Sequence, residues 1–337
     1  MTHKVLLTTP RFFAFEAMIR EHLAEHGCEV LEHRAHDMQM KEETLLTLVP
    51  EASGLITALE PVTARVLAAA PRLRVICATG VGYDHIDVEA ATARGVTVCI
   101  SAGSNHQAVA ELTLGLMVAV ARQVAYGDRL LRGGGWERLV GPELWGKTLG
   151  IVGLGRVGKS VALLARAFGM RVVATDVVLD HTFGSTHAVE YVPLAKLLRS
   201  ADFVSLHCPL TAETRGLMNE RTFGLMKPGA YLINTARGPV VEEEALIQAL
   251  RSRQIAGAAL DVFPDEPHIG AGLREASNVV LTPHIGGSAN EALERMMELA
   301  LQNVTQVLGG GAPVGRVNWR ASPAPPPSRR ERPEEAI

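Results

Sequence analysis

Two parallel-sheet α/β domains, one inserted in the other, are what this sequence predicts, and three observations predict them. Short Val/Ile/Leu runs alternate with helical patterns along the chain, as parallel strands with crossover helices require. The runs fall into two series, the second opening at Thr148, so two sheets and two cores are expected. A last helical stretch has no strand after it and is expected to return to the first domain, which makes that domain discontinuous.

In the first series, strands are expected near 4–9, 28–33, 54–59, 73–79 and 96–101, with helices such as Phe15 to Glu25 and Val62 to Ala70 between them. Asn105 to Tyr126 reads as one long helix, apolar all round, which must be buried between the domains or against another subunit. The second series places strands near 148–154, 171–176, 187–192, 203–209, 230–236, 255–262 and 279–283. Asn290 to Leu308 is expected to be a helix with Leu293, Met296, Met297, Ala300, Val304 and Val307 on its apolar face. The expected domains are therefore residues 1–101 joined with 288–320, and 102–287 inserted between them. Ala321 to Ile337, rich in Pro, Arg and Glu, is expected to be a disordered tail, although Pro323 to Pro326 has PxxP spacing.

Composition narrows the function classes. The 337 residues are 47% apolar and 20% charged, which suits a soluble globular chain of two domains. A net charge of −3 offers nothing to nucleic acid or to an anionic membrane. No apolar run reaches the ~18 residues of a membrane span; the longest candidate, Val109 to Val120, carries Glu111. The opening Met1-Thr2-His3-Lys4-Val5 enters a strand without a signal-peptide pattern. Cys28, Cys77, Cys99 and Cys208 lie far apart with no CxxC spacing, and read as small buried residues in a reducing compartment. The cytoplasm is the expected location, and no metal site is expected.

The stretch from Thr148 to Gly158 is an apolar strand running into Gly153-Leu154-Gly155-Arg156-Val157-Gly158. A lone GxGxxG is weak, but here a helix follows with apolar residues at Val157, Val161, Leu164 and Phe168, and a second strand ends in Asp176. Gly153 makes the tight turn, Gly155 lets the backbone approach a pyrophosphate, and Gly158 lets helix and strand pack closely. The pyrophosphate is expected on the backbone N–H groups of Arg156 and Val157, at the positive end of the helix. Asp176 would accept hydrogen bonds from the adenosine ribose. Its charge repels the extra phosphate of NADP, and Val177-Val178 supply no cation for it, so NAD is the expected cofactor.

Three later strands each place one polar group just past their ends: Arg237, Glu266 and His284. Singly, these read as a loop cation, a surface carboxylate and a strand-end His bonded to backbone. Together, at the carboxyl ends of one nucleotide-binding sheet, they can converge on one crevice. A guanidinium holds a carboxylate in a fork, a His delivers a proton, and a Glu beside it favours the charged ring. Those are the groups that reduction of a 2-keto acid needs.

From about Gly80 to Gly287 the chain resembles the D-isomer-specific 2-hydroxyacid dehydrogenases. The resemblance is carried by Gly80-Val81-Gly82-Tyr83-Asp84-His85-Ile86-Asp87, Ala110-Glu111-Leu112-Thr113, Gly135-Trp136-Glu137-Arg138 and the Gly-rich turn. It continues through Asn234-Thr235-Ala236-Arg237-Gly238, Asp261-Val262-Phe263-Pro264-Asp265-Glu266-Pro267 and Thr282-Pro283-His284-Ile285-Gly286. It implies two Rossmann-like domains with a cleft between them, a homodimer, and Arg237, Glu266 and His284 as catalytic residues. It further implies that backbone N–H groups of Val81 and Gly82 hold the substrate carboxylate from the other domain. Asp261 would meet the nicotinamide carboxamide. Cys208, Pro209, Thr235, Ala236, Gly286 and Gly287 would line the rest of the cofactor groove, with Arg237 and His284 also facing it.

Departures from the family narrow the substrate. Phosphoglycerate dehydrogenases match best through Gly135 to Met170, but their phosphate-binding arginines stand here as Ala58 and Ala78, and the regulatory domain that many of them carry is not seen. Phosphite dehydrogenases place a Lys in the loop that here reads Val81-Gly82, and formate dehydrogenases pair their His with Gln. The expectation is an NAD-dependent D-2-hydroxyacid dehydrogenase acting on a small unphosphorylated 2-keto acid such as glyoxylate, hydroxypyruvate or pyruvate. The alternatives are a 3-phosphoglycerate dehydrogenase and a NAD(H)-sensing corepressor-like binding protein.

Overall fold

The computed structural model describes residues 2–8, 14–31 and 40–318. The expected tail and its PxxP spacing lie outside them. Contacts divide the described residues into two units: those within 1–79, 85–102 and 300–318 form the first, and 80–84 with 103–299 form the second.

In the first unit, β1 (His3–Leu7), β2 (Cys28–Leu31), β3 (Gly54–Thr57), β4 (Val75–Ala78) and β5 (Thr97–Ile100) make a parallel sheet in the order β2-β1-β3-β4-β5. β3 and β4 are buried at every position, which is why they read as unbroken apolar runs rather than alternating ones. The helices are α1 (Glu16–Glu25), α2 (Glu42–Leu48), α3 (Ala64–Ala68) and α4 (Val88–Ala93). Thr63 caps α3 by accepting from Val66 N, and Asp87 caps α4 by accepting from Ala90 N. Past the end of β3 sits Glu60, 1% exposed. Its Oε2 accepts from Thr57 Oγ1 at 2.7 Å, Ala58 N at 2.8 Å and Leu59 N at 3.1 Å.

The second unit opens with α5 (His106–Ala121) and α6 (Val124–Arg132). The single helix expected over 105–126 is corrected here: the chain bends by 63° between the two. Arg122-Gln123 interrupts the apolar run, Gln123 adopts the left-handed region (φ 55°), and its amide donates to Val140 O. α5 is not enclosed on every side of the chain either, since Glu111 and Gly115 are exposed.

Seven strands follow: β6 (Thr148–Val152), β7 (Arg171–Thr175), β8 (Val189–Tyr191), β9 (Phe203–Leu206), β10 (Ala230–Asn234), β11 (Ile255–Leu260) and β12 (Val279–Leu281). They form one parallel sheet in the order β12-β11-β10-β9-β6-β7-β8. The chain runs outward from β6 through β7 to β8, then returns to β9 on the other side. The switch point therefore lies between β6 and β9, where open α/β sheets bind ligands at the strands' carboxyl ends. α7 (Arg156–Ala167) and α5 pack over one face, and α9 (Leu194–Ser200), α10 (Glu220–Leu225) and α11 (Glu243–Arg251) cover the other. α8 (His181–His187) and α12 (Ala271–Glu275) complete the crossovers.

α13 (Asn290–Leu308) spans the expected residues. Ala300 to Leu308 belongs to the first unit, but Asn290 to Leu299 groups with the second, where the expected boundary at 288 had put it with the first. Arg295 in that half donates from Nε to Ser104 O at 3.0 Å, and Met296 lies against Gly287.

Candidate active site

The Gly-rich turn leaves β6 at the switch point. Gly153 has φ +94°, and a Cβ there would stand 2.6 Å from Cys208 N, so only glycine lets the turn pass the chain leaving β9. A Cβ on Gly158 would collide with Gly153 O, whereas one on Gly155 would meet open space. Gly155 precedes α7 and has no side chain to cap it, so the first N–H groups of that helix, at Arg156 and Val157, are available to an anion. This arrangement fits the pyrophosphate of a dinucleotide.

Asp176 lies one residue past β7. Its Oδ2 accepts from Leu154 N at 2.5 Å and its Oδ1 from Val178 N at 2.9 Å. The carboxylate therefore holds the turn itself as well as standing at the position expected for a ribose. Val177 is fully exposed beside it. Cys208, at the end of β9, is buried, and burial pushes its thiol up to about 11, so it is a neutral wall of the groove.

β10, β11 and β12 are neighbours whose register pairs Asn234 with Leu260 and Leu260 with Leu281, so the loops after them start side by side. After β10, buried Asn234 accepts from Ala236 N at 3.0 Å and donates to Arg237 O at 2.9 Å, which fixes the turn carrying Arg237. Thr235 Oγ1 is 3.0 Å from Thr113 Oγ1 on α5. A Cβ on Gly238 would collide with the Phe263 carbonyl, so that glycine lets the β10 and β11 loops touch.

After β11, Asp261 is 1% exposed. Its Oδ1 accepts from Thr282 Oγ1 at 2.6 Å and Ile285 N at 2.9 Å, and its Oδ2 from Gly286 N at 2.7 Å. His284 N donates to Asp261 O at 2.9 Å. Asp261, expected at the cofactor, is thus first the anchor of the loop that carries His284. That loop needs an anchor, because His284 sits in the left-handed region (φ 51°), which costs a non-glycine residue about 1–3 kcal/mol.

His284 Nδ1 lies 2.7 Å from Glu266 Oε2, and Glu266 Oε1 accepts from Phe263 N at 2.9 Å. Burial pushes the Glu266 carboxyl up. The hydrogen bond and charge of His284, the Phe263 N–H and the field of Arg237 outweigh that, and the net shift is downward. Glu266 is therefore ionised at neutral pH and holds Nδ1 of His284.

Arg237 Nε donates to Asp84 Oδ1 at 2.8 Å and its Nη1 to Ala236 O at 2.7 Å. A Cβ on Gly82 would coincide with Arg237 Nη2, so the guanidinium lies directly on that glycine. Gly80 to Asp84 consequently groups with the second unit, not with the other domain as the sequence reading had Val81 and Gly82. Asp84 has no task legible in the sequence: a carboxylate two residues past a glycine gives no sign of its partner 153 positions away. His207 was also unassigned. It is half-buried with Nε2 2.8 Å from Ser205 Oγ, and its removal from water lowers it to about 3, so it is neutral. Among the described residues, no group of three or more His, Cys, Asp and Glu could hold a metal ion.

A doubly wound sheet with this turn, and with a carboxylate-paired His at its strand ends, defines a dinucleotide-dependent dehydrogenase. Residues 114–286 match the family described as D-isomer specific 2-hydroxyacid dehydrogenase, NAD binding domain. A glyoxylate reductase of Thermofilum pendens is 43% identical over 300 residues, covering 86% of this chain and 88% of that one. The D-3-phosphoglycerate dehydrogenase of Homo sapiens is 39% identical over 306 residues, covering 90% of this chain but 56% of that one. A crystal structure of D-lactate dehydrogenase from Aquifex aeolicus, complexed with NAD and lactic acid, matches with TM-score 0.81 and 28% identity, over 91% of this chain and 96% of that one. The chain belongs to the D-isomer-specific 2-hydroxyacid dehydrogenase family. It is an NAD-using oxidoreductase of hydroxy acids.

Proposed function

We propose that this enzyme reversibly reduces a small unphosphorylated 2-keto acid, of the size of glyoxylate, hydroxypyruvate or pyruvate, and prefers NADH to NADPH. The observation that carries the reading is the Glu266–His284 pair, 2.7 Å apart, in the field of Arg237. Arg237 binds the substrate carboxylate through its terminal nitrogens and polarises the carbonyl. Glu266 holds Nδ1, so Nε2 of His284 gives its proton to the ketone oxygen and takes it back in oxidation. NAD would be held by Gly153, Gly155, Gly158, the Arg156 and Val157 N–H groups and Asp176, and supplies or accepts the hydride when bound. Val81 and Gly82, and the groove residues Pro209, Thr235, Ala236, Gly286 and Gly287, belong to the same proposed site.

Two observations support an unphosphorylated substrate. Ala58 and Ala78 offer no cation at the ends of β3 and β4. The Ala58 and Leu59 N–H groups, a pair that elsewhere can cradle an anion, are already taken by the chain's own Glu60. The 43% identical relative named glyoxylate reductase favours the same choice. NADH preference rests on the Asp176 carboxylate, followed by exposed Val177 and Val178 where a 2′-phosphate would need a cation.

A homodimer completes the proposal. Trp136, Val140 and Trp145 are 83%, 86% and 73% exposed, and an apolar groove lined by Leu114, Gly115, Val118, Val124, Leu164 and Phe168 lies along α5. A patch of this kind marks an association surface, and a second copy supplies both the patch and its complement. The cytoplasm is the proposed compartment, since all four cysteines are free thiols. The testing experiment is kcat/KM for glyoxylate, hydroxypyruvate, pyruvate and 3-phosphohydroxypyruvate with each cofactor, with light scattering for the oligomer. The proposal expects the phosphorylated acid to be poorest and NADH to be preferred with the others. A best rate on the phosphorylated acid, or tight NADH binding with no turnover, would replace it with one of the alternatives.

A further inference from the structure

The guanidinium of Arg237 is held on three sides. Its Nε–H is donated to Asp84 Oδ1 at 2.8 Å, one Nη1–H goes back to Ala236 O at 2.7 Å, and Nη2 fills the space that a Cβ on Gly82 would take. A free arginine side chain has many rotamers to lose on binding, and a fork recognises a carboxylate well only when its plane is already set. Two of the five N–H donors are engaged by these contacts, and the donors that remain are on the terminal nitrogens. The edge formed by Nε and Nη2, one of the two ways a guanidinium can present parallel N–H groups, is closed by Asp84. The end formed by Nη1 and Nη2 is left.

We propose that Asp84 is a positioning residue which, with Gly82, fixes the plane of Arg237 and dictates that a 2-keto acid's carboxylate docks on the terminal Nη end of the guanidinium. This rests on the reading of Arg237 as the substrate-carboxylate site. Asp84 itself does not touch substrate. Its side chain is 41% exposed against 22% for Arg237, so the pair owes little to a buried ion pair and its worth lies in geometry. Gly82 has a matching role: any side chain there takes the space of Nη2 and swings the fork away.

The test compares wild type with Asp84→Ala, Asp84→Asn and Gly82→Ala, measuring KM and kcat for glyoxylate, NADH affinity by fluorescence, and oxamate binding to the enzyme–NADH complex. Asp84→Ala should raise KM for glyoxylate and Kd for oxamate about tenfold or more, lower kcat by a smaller factor, and leave NADH affinity within twofold. Asp84→Asn, which keeps the shape and an acceptor for Nε–H, should recover most of the loss. Gly82→Ala should reproduce the KM and oxamate defects with NADH binding intact. Unchanged KM and oxamate affinity in Asp84→Ala would overturn the proposal, and so would tighter binding, which would make Asp84 a competitor of substrate. If Asp84→Ala does not fold, an Asp84→Asn variant as weak as Gly82→Ala overturns the requirement for an acceptor alone. Oxamate binding is read without turnover. A wild type that binds oxamate and reduces no keto acid therefore refutes the catalytic reading and still tests Asp84; one that binds neither glyoxylate nor oxamate refutes both.

Discussion

Oε2 of Glu266 sits 2.7 Å from Nδ1 of His284, and this contact occupies one of the two ring nitrogens. With Nδ1 held, Nε2 is the nitrogen to which the proposed function gives the proton exchange. Glu266 is held below the usual carboxylate range by that same partner despite its burial, so it faces the ring ionised. Glu266→Gln should lower kcat, with a smaller loss than His284→Ala shows, measured by steady-state kinetics. Wild-type kcat in Glu266→Gln would show that the carboxylate has no part in the reaction.

The same shift has a consequence for stability. A carboxyl more acidic in the folded chain contributes stability above its ordinary pKa, and that contribution disappears as pH falls through the lowered value. Glu266→Gln should therefore narrow its Tm gap from wild type on acidification below the ordinary carboxylate range. A gap that stays constant through that range would contradict the linkage.

Arg237→Lys keeps the charge and loses the planar fork. A lysine ammonium cannot bond Asp84, Ala236 and a carboxylate with the fixed geometry that the guanidinium has here. KM for the keto acid should rise and kcat should fall together, because in the proposed function one group both binds carboxylate and polarises carbonyl. NADH affinity should barely move. Wild-type keto-acid kinetics in the Lys variant would make Arg237 a bystander.

Asp176→Ala tests cofactor choice and the turn at once. The preference for NADH over NADPH should weaken. KM for NADH should also rise, since Leu154 N and Val178 N lose their acceptor. Equal kcat/KM for the two cofactors in wild type would remove the basis of the claim.

Asp261→Ala should be the most destabilising of the single changes named here. It strips acceptors from Thr282 Oγ1, Ile285 N and Gly286 N; the Gly286 N–H is buried, and leaving it unsatisfied costs about 1–3 kcal/mol. The left-handed His284 would also lose its support. A lower Tm with a large fall in kcat is expected, measured by thermal unfolding and steady-state kinetics. A variant as stable and active as wild type would show that the loop is held elsewhere.

Much of this was legible in the sequence for a physical reason. Strands buried on both faces read as unbroken apolar runs, and the residues that end them are polar, so Asp176, Arg237, Glu266 and His284 announced themselves as strand-end groups. Gly153, Gly155 and Gly158 were legible because their spacing answers a backbone need. What escaped notice depends on tertiary partners. The break at Gln123 comes from a left-handed residue bonded to the chain at Val140, inside a run whose composition is helical throughout. The Asp261 anchorage, the backbone of His284 and the Asp84–Arg237 pair join segments whose proximity no local pattern encodes.

The central claim is that Arg237, Glu266 and His284 form a catalytic constellation and not merely a nucleotide-sensing surface. The most direct measurement is the rate of NADH oxidation by glyoxylate in His284→Ala, beside the NADH dissociation constant of the same variant. The account predicts a fall in rate of about 10²–10⁴-fold, the usual worth of a positioned general acid, with NADH binding within a few-fold of wild type. A variant that binds NADH normally and keeps its rate to within a few-fold would contradict it.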